Sequence, residues 1–313
     1  MSRFRQALSS GEVLLMDGAM GTELLRAGIA EGECFEKWNI SHADRVRAIH
    51  QAYADAGSQC LLTNTFQANP QALAKHGLAT ELRSICSAAV TLARSVAGSD
   101  RFVIGDIGPI FAGNPPQEFS DQAGLAQVVE ALSGADAILL ETCSDPAALQ
   151  AVRWCRAVLG SREVPVLLSL SYRKDAAGAL VTESGHSPEW FGERAADSGA
   201  AALGVNCGRD IGLEEILAII RRYRGVTSLP LCARPNAGTP TRIGQQWQYP
   251  LVPAALASSL PELLEAGIAL IGGCCGTNPA HVAALEPLVG EWNRGQRRRK
   301  GDANVGQVDH QPE

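Results

Sequence analysis

The stretch Ile268–Thr277, IALIGGCCGT, joins a short apolar run to two adjacent cysteines, Cys274 and Cys275. A second stretch, LGVNC, ends in the same way on Cys207. Short runs of Val, Ile and Leu that stop at glycine or polar residues are typical of strands buried in a parallel sheet. If the two strand ends lie side by side, three thiols meet at one point of the fold.

Further apolar runs of this kind recur along the chain, separated by Ala- and Leu-rich stretches with helical spacing. The predicted strands are Val13–Met16, Cys60–Thr63, Phe102–Gly105, Ala137–Leu140, Val166–Leu170, Ala201–Val205, Pro230–Ala233 and Ile268–Ile271. Because parallel strands need crossover helices, this alternation predicts an α/β protein, a single-domain (β/α)8 TIM barrel over residues 1–293. The length of 313 residues agrees with that class. The polar residues 294–313 are predicted to form a disordered C-terminal tail.

Polar side chains follow seven of the eight predicted strands, and the active site of a (β/α)8 barrel lies at the C-terminal ends of its strands. We therefore predict the functional site at this face. The residues concerned are Asp17, Asn64, Asp106, Glu141, Cys207, Arg234 and the Cys274–Cys275 pair.

The three thiols predict a metal site. Three soft ligands with a fourth position left open are typical of a catalytic zinc, Zn²⁺, rather than a structural one. Such a zinc suits the binding of a substrate thiol as its thiolate, which predicts alkyl transfer to sulfur. The alternative is that Cys274 and Cys275 are small buried residues in a tight turn. His186 and His281 are alternative ligands, for which a surface or capping role is preferred.

Asp17 and Glu141 could bind the ammonium of an amino-acid substrate or act as acid and base. The ammonium role fits better, because S-alkylation needs no proton delivery to carbon. Gly18 opens a turn whose backbone N–H groups could hold a carboxylate. Asn64 is expected either to support the backbone of its loop or to contact substrate.

The composition excludes several classes of protein. Lys and Arg number 27 against 33 Asp and Glu, so the net charge of −6 argues against a nucleic-acid surface. No apolar run approaches the ~18 residues of a membrane helix, and the N-terminus lacks a signal-peptide core. We therefore expect a cytoplasmic protein without membrane or nucleic-acid partners, whose nine cysteines are reduced.

The motifs DGAMGT, TNTFQAN, LLET, GVNC, PNAG and GGCCGT together resemble the homocysteine S-methyltransferase family, in the expected order from Gly11 to Leu288. That family includes S-methylmethionine- and betaine-dependent enzymes and the homocysteine module of cobalamin-dependent methionine synthase. The resemblance implies a zinc-containing barrel that methylates homocysteine to methionine. By the matching positions, Cys207, Cys274 and Cys275 would be the zinc ligands, and Asp17 and Glu141 would hold the homocysteine amino group.

Two residues depart from the pattern of this family. Asp106 replaces a residue that is commonly Ser or Val, and Arg234 stands where an aliphatic residue or His is more frequent. Because both follow predicted strands, we expect a buried Asp106–Arg234 ion pair.

The sequence leaves the methyl donor open. A sulfonium or quaternary ammonium donor such as S-methylmethionine or betaine would favour an aromatic face, for which Trp38, Phe66, Trp247 and Tyr249 are candidates. A chain of this length has no room for folate or cobalamin modules, which favours a small cationic donor. The alternatives are a corrinoid protein as donor, another thiol or selenol acceptor, and a noncatalytic zinc-binding barrel subunit.

Overall fold

The computed structural model describes residues 1–30, 32–112, 117–119, 121–208, 210–243 and 246–305. Its central sheet has eight parallel strands: β1 Leu14–Leu15, β2 Cys60–Leu62, β3 Phe102–Ile107, β4 Ala137–Cys143, β5 Val166–Leu170, β6 Ala202–Asn206, β7 Leu231–Arg234 and β8 Ile268–Ile271. Each strand pairs with its neighbours in sequence, β8 pairs with β1, and a parallel bridge between Met16 and Cys60 joins β1 to β2. The predicted (β/α)8 barrel is therefore confirmed.

Helices separate the strands and cover the outside of the sheet. In chain order they are α1 Arg3–Ser9, α2 Gly21–Arg26, α3 Trp38–Ser41, α4 Ala43–Asp55, α5 Pro70–Ala74, α6 Leu82–Ala97, α7 Gln122–Ala131, α8 Ala147–Leu159, α9 Pro188–Ser198, α10 Leu213–Arg224, α11 Pro253–Glu265 and α12 Pro279–Val305. Local sequence sets their ends, as α9 shows. The Ser187 hydroxyl accepts a hydrogen bond from the Trp190 N–H, Pro188 fits the first turn, and Gly199 ends the helix in the left-handed conformation.

Side chains on alternate residues of each strand fill the interior of the barrel. They form a separate apolar cluster of mostly small and medium residues, which includes Leu14, Met16, Cys60, Leu62, Phe102, Ile104, Ala137, Leu139, Leu167, Ala202, Cys232 and Leu270. The larger core cluster lies between the outward faces of the strands and the helices. Aliphatic residues dominate both clusters, as the low aromatic content of 5% requires.

Helix α1 closes the N-terminal end of the barrel. Phe4 and Leu8 belong to the interior cluster, and the ring of Phe4 meets that of Phe102 edge to face at 5.1 Å between centroids. The Arg3 guanidinium lies over the Phe102 ring, 4.3 Å from its centroid. The opposite end of the barrel is left for the functional site.

Three short antiparallel ribbons extend the loops that follow β3, β5 and β7. They pair Phe111–Ala112 with Gln117–Glu118, Arg173–Lys174 with Leu180–Val181, and Thr241–Ile243 with Gln246–Gln248.

Helix α12 continues to Val305 and thus includes the first part of the segment predicted as a tail, residues 294–313. Residues 306–313 lie outside the described residues. The division of the chain at residue 293 stays a prediction. Among the described helices, none has the length and apolarity to span a bilayer.

Replacing Phe4 with Ala should lower the free energy of unfolding by about 3 kcal/mol or more, because Phe4 is 1% exposed and its removal leaves a cavity at the base of the barrel. Urea titration followed by circular dichroism measures this. Phe111→Ala is the matched control, since Phe111 is 54% exposed and should change the stability by no more than about 0.5 kcal/mol. Equal losses in the two variants would show that α1 does not seal the barrel.

Candidate active site

The layer of inward side chains at the C-terminal end of the barrel is polar. On β3, β4, β5 and β7 it lies two residues beyond the last inward-facing member of the apolar cluster. Its members are Asp106, Glu141, Ser169, Asn206 and Arg234. All five residues are buried. A cavity of about 520 Å³ opens above this layer, and its lining includes Asp106, Glu141 and Arg234 together with the three cysteines.

Cys207, Cys274 and Cys275 come together as predicted. Their Sγ atoms all lie within 4.8 Å of one another. Cys207 follows β6 in the left-handed conformation, with φ of 53°, and the other two follow β8. Hydrogen bonds from Cys274 and Cys275 lower the pKa of Cys207 below its usual value, while the hydrogen bond to the Cys207 sulfur raises the pKa of Cys275. The three thiols are therefore close enough to interact directly.

The fit of a metal ion can be tested on these sulfurs. Tetrahedral zinc with Zn–S bonds of about 2.3 Å needs sulfurs roughly 3.8 Å apart. The Cys274 and Cys275 sulfurs are separated by 4.0 Å, and the whole group stays within 4.8 Å. The three thiols therefore fit a metal ion without rearrangement of the loops. Neither His186 nor His281 belongs to this group among the described residues. The His281 ring bonds Asn278 and the Leu251 carbonyl, and His186 packs on Trp190.

Two asparagines that the sequence did not identify as site residues face the sulfurs. Asn236 Nδ2 donates to Cys207 Sγ at 3.6 Å, and Asn206 Nδ2 lies 3.7 Å from Cys274 Sγ. Asn206 is itself held by the hydroxyl of Thr142, which accepts from Nδ2 at 2.7 Å. Amide donors stabilise the thiolate form of the cluster. The signal was present in the motifs, because each asparagine lies in GVNC or PNAG.

Close backbone packing explains the glycines beside Cys274 and Cys275. A Cβ on Gly273 would lie 2.2 Å from Thr277 Oγ1, and one on Gly276 would lie 2.0 Å from the Tyr249 ring. Gly276 also adopts a φ of 81°. Thr277 Oγ1 accepts from the Ala19 N–H at 3.1 Å and donates to the Cys274 carbonyl at 2.7 Å. This hydroxyl thus ties the loop after β1 to the loop that carries the thiols.

The predicted Asp106–Arg234 ion pair is wrong in its partner. Arg234 Nη1 binds Glu141 Oε1 instead, and Arg234 Nη2 lies 3.7 Å from Asp17 Oδ1. The order of strands in the ring gives the reason. The strand of Asp106, β3, is diametrically opposite β7, whereas β4, which carries Glu141, and β1, which precedes Asp17, are three and two strands away. The guanidinium therefore contacts Glu141 and Asp17, and it acts on Asp106 only through space.

Asp17 and Asp106 are buried carboxyls with an oxygen left without a hydrogen-bond partner. The Leu62 N–H donates to Asp17 Oδ2 at 2.7 Å, but Asp17 Oδ1 and Asp106 Oδ1 accept none. Burial raises the pKa of Asp17 to about 7 and that of Asp106 to about 8, against the opposite effect of Arg234. These oxygens are the acceptors that a cationic ligand would complete.

Two other predicted substrate residues, Gly18 and Asn64, line the cavity but also have structural roles. Gly18 lines the cavity, and a Cβ there would lie 2.7 Å from Thr277 Oγ1, so packing alone requires glycine. Asn64 also lines the cavity, but its Nδ2 donates to the Phe35 carbonyl at 2.8 Å and supports the loop. Substrate contacts of these two residues stay a prediction.

The aromatic residues that line the cavity are Phe35 and Phe66. Trp38 is not among the lining residues; it is 3% exposed and stacks on His42. It lines a second, adjoining depression, and a direct contact of Trp38 with substrate stays a prediction. Trp247 is 52% exposed on its ribbon, and Tyr249 packs against Gly276 next to Cys275.

The fold and site define a (β/α)8 barrel with three clustered thiols, of a geometry that could hold a metal ion, at its C-terminal face. The family profile described as Homocysteine S-methyltransferase matches residues 14–289. The chain therefore belongs to the homocysteine S-methyltransferase family.

Similar proteins include methionine synthase of Mycobacterium tuberculosis, 32% identical over 95% of this chain and 26% of that protein. Homocysteine S-methyltransferase of Escherichia coli is 30% identical over 90% of this chain and 97% of that protein. The chain thus spans about a quarter of the methionine synthases and almost the whole of the E. coli protein. The crystal structure of the homocysteine methyltransferase MmuM from E. coli in its metallated form matches with a TM-score of 0.71 at 28% identity, over 91% of this chain and 99% of that chain.

Asp106→Asn should stabilise the ligand-free protein at pH 8.5 and much less at pH 5. The pKa of Asp106 is raised to about 8, so between the unfolded value of about 3.9 and pH 8 the native state binds more protons than the unfolded state. Stability from this group is therefore lost as the pH rises through that window. We expect Asn, which stays neutral, to recover about 1 kcal/mol or more at pH 8.5, measured by urea titration at both pH values. A gain that is larger at pH 5 would contradict this assignment.

Proposed function

We propose that this protein is a zinc-dependent S-methyltransferase that transfers a methyl group from a small cationic donor, S-methylmethionine or betaine, to homocysteine, giving methionine. The observation that carries the proposal is the cluster of three cysteine sulfurs in one cavity with buried carboxyls. Sulfur ligands suit a thiol acceptor, and carboxyls suit the ammonium of an amino acid. The cytosol is the proposed location, since all nine cysteines are free thiols.

Cys207, Cys274 and Cys275 would hold the zinc. When bound, the ion would keep the acceptor sulfur as a thiolate near neutral pH, which makes it a nucleophile for the methyl carbon. The chain itself prepares the ligands: Asn236 and Asn206 direct N–H groups at the cysteine sulfurs, and Thr277 fixes the loop that carries two of them. These contacts favour the deprotonated cysteines that metal binding requires.

The amino-acid part of homocysteine would bind on the acidic side of the cavity. Asp17 and Glu141 are the pair that the family resemblance implies, and Asp17 Oδ1 accepts no hydrogen bond from the described residues, its nearest cation being Arg234 Nη2 at 3.7 Å. Leu62 holds the other oxygen of Asp17 through its N–H, which fixes the direction of the carboxyl. An ammonium supplies three donors and can satisfy acceptors on more than one strand.

The donor would lie on the apolar side of the cavity, beside Phe35 and Phe66. Aromatic faces attract sulfonium and quaternary ammonium groups once these are desolvated. Methyl transfer needs only that the methyl carbon is aligned with the acceptor sulfur and that water is excluded, so positioning is the main contribution of the protein. No proton has to be delivered to carbon.

A corrinoid protein is the second candidate donor. The similarity to methionine synthases, of which the chain spans about a quarter, favours it. A selenol or another thiol as acceptor would use the same cluster of sulfurs.

The first experiment is methionine formation from homocysteine by zinc-loaded protein, with S-methylmethionine and betaine supplied separately. We expect turnover with one of them. Absence of turnover with both, in protein shown to contain zinc, would contradict the small cationic donor and direct the assay to methylated corrinoid protein and selenol acceptors. Absence of turnover with all of these would support the noncatalytic barrel instead.

Replacing Cys207, Cys274 or Cys275 with Ala should remove bound zinc and activity while leaving the barrel folded. Metal content by atomic emission and circular dichroism measure the two effects. Cys86→Ala is the matched control, because Cys86 is fully buried in α6 and should keep the metal. Unfolding of the zinc-free variants would show that the metal is structural rather than catalytic.

A further inference from the structure

On the acidic side of the cavity lies a buried cation, Arg234, which is 3% exposed. It engages Glu141 directly through Nη1, while its contact with Asp17 is longer, at 3.7 Å. A carboxylate that already shares an oxygen with a guanidinium has less negative potential to offer a second cation. Glu141 is therefore poorly placed to be a main partner of a substrate ammonium in this chain.

The buried carboxyls of the described part of the chain differ in how well they are satisfied. Glu36 accepts from the Gln67 N–H at 2.8 Å, and Glu118 accepts from the N–H groups of Ser144 and Asp145. Asp17 and Asp106 are the ones left with an oxygen, Oδ1 in each, that has no hydrogen-bond partner. A buried acceptor without a hydrogen bond is destabilising, and more so when it is charged, so both oxygens favour an external donor.

Asp106 is also held rigidly. Its N–H donates to Thr63 Oγ1 at 3.0 Å, and its carbonyl accepts from Thr65 Oγ1 at 2.7 Å. The two threonine hydroxyls bond each other at 2.6 Å. The end of β2 thus fixes the backbone of Asp106 at the cavity wall.

The ring order places Asp17 and Asp106 on the two sides of β2, since β1 and β3 are separated by that strand alone. The carboxyl of Asp17 bonds Leu62 on β2, and the backbone of Asp106 bonds Thr63 next to it. Asp106 lines the cavity above this strand, as do Gly18, which follows Asp17, and Leu62, which binds its carboxyl, and Asp17 raises the pKa of Asp106 by charge repulsion. A cation between them would relieve this repulsion.

We propose that the ammonium group of the amino-acid acceptor binds between Asp17 Oδ1 and Asp106 Oδ1, and that Arg234 is a fixed internal partner of Glu141. The inference rests on the proposed function only for the identity of the acceptor. The two departures from the family pattern, Asp106 and Arg234, are then linked. Arg234 occupies the carboxylate of Glu141, and Asp106 supplies the carboxylate that binds the ammonium in place of Glu141. Asp106 is accordingly a residue that determines specificity for acceptors that carry an amino group.

The test compares the binding of homocysteine with that of 4-mercaptobutanoate, which has the same thiol and carboxylate but no amino group. Titration calorimetry on zinc-loaded protein gives the ratio of the two dissociation constants. Asp106→Asn should lower the preference for homocysteine by about tenfold or more, the loss expected for one hydrogen bond to a charged group, and should leave 4-mercaptobutanoate unchanged. Asp106→Ser is a second variant of smaller volume, with the same expectation.

A third, discriminating variant removes the Glu141–Arg234 pair as a unit, in the double variant E141Q/R234Q, so that neither member of the pair leaves the other's charge alone. The preference for homocysteine should stay within about threefold of the wild type there. Loss of the preference in this variant, its retention in both Asp106 variants, or its absence in the wild type would overturn the proposal. Because binding rather than turnover is measured, a protein that forms no methionine would contradict the proposed function and leave this result standing.

Discussion

The closed ring of parallel strands is the constraint on which the site depends. In a closed barrel each inward side chain has a fixed height and direction, and no free edge is left to which a strand can shift. Apolar residues such as Ile104 and Leu139 fill one layer, and two residues further along the same strands are Asp106 and Glu141. These charges can be balanced only by groups across the ring or by a ligand in the cavity.

Arg234 neutralises part of this negative charge from within the protein. A buried ion pair is weak evidence for stability, because the desolvation of two charges offsets most of their attraction. Its location is more informative, since β7 lies between β6 and β8, the strands that carry the thiols. From there the guanidinium binds Glu141 and lies 3.7 Å from Asp17, while one oxygen each of Asp17 and Asp106 is left without a hydrogen bond. A site in this state is completed by a ligand with a positive group.

The sequence predicted the barrel and the members of the site because both depend on local patterns. Apolar runs mark strands, and a polar residue after each run marks the C-terminal face, so Cys207, Cys274, Cys275, Asp17 and Glu141 could all be found. The partner of Arg234 could not be found, because it depends on how many strands separate two residues around the ring. The burial of Trp38 could not be found for a related reason: a position after β1 does not show that the side chain stacks on His42 rather than lining the cavity.

Two ends of one ligand would be bound by different parts of this ring. The sulfur end belongs to the loops after β6 and β8, and the ammonium end to the carboxyls beside β2. Because strands of a closed barrel do not slide past one another, the distance between the two ends is a property of the fold rather than of flexible loops. Thr277 reinforces this by tying the cysteine loop to the turn that follows Asp17. The rigidity that would position a thiol for attack would therefore also limit which lengths of acceptor can reach both ends at once.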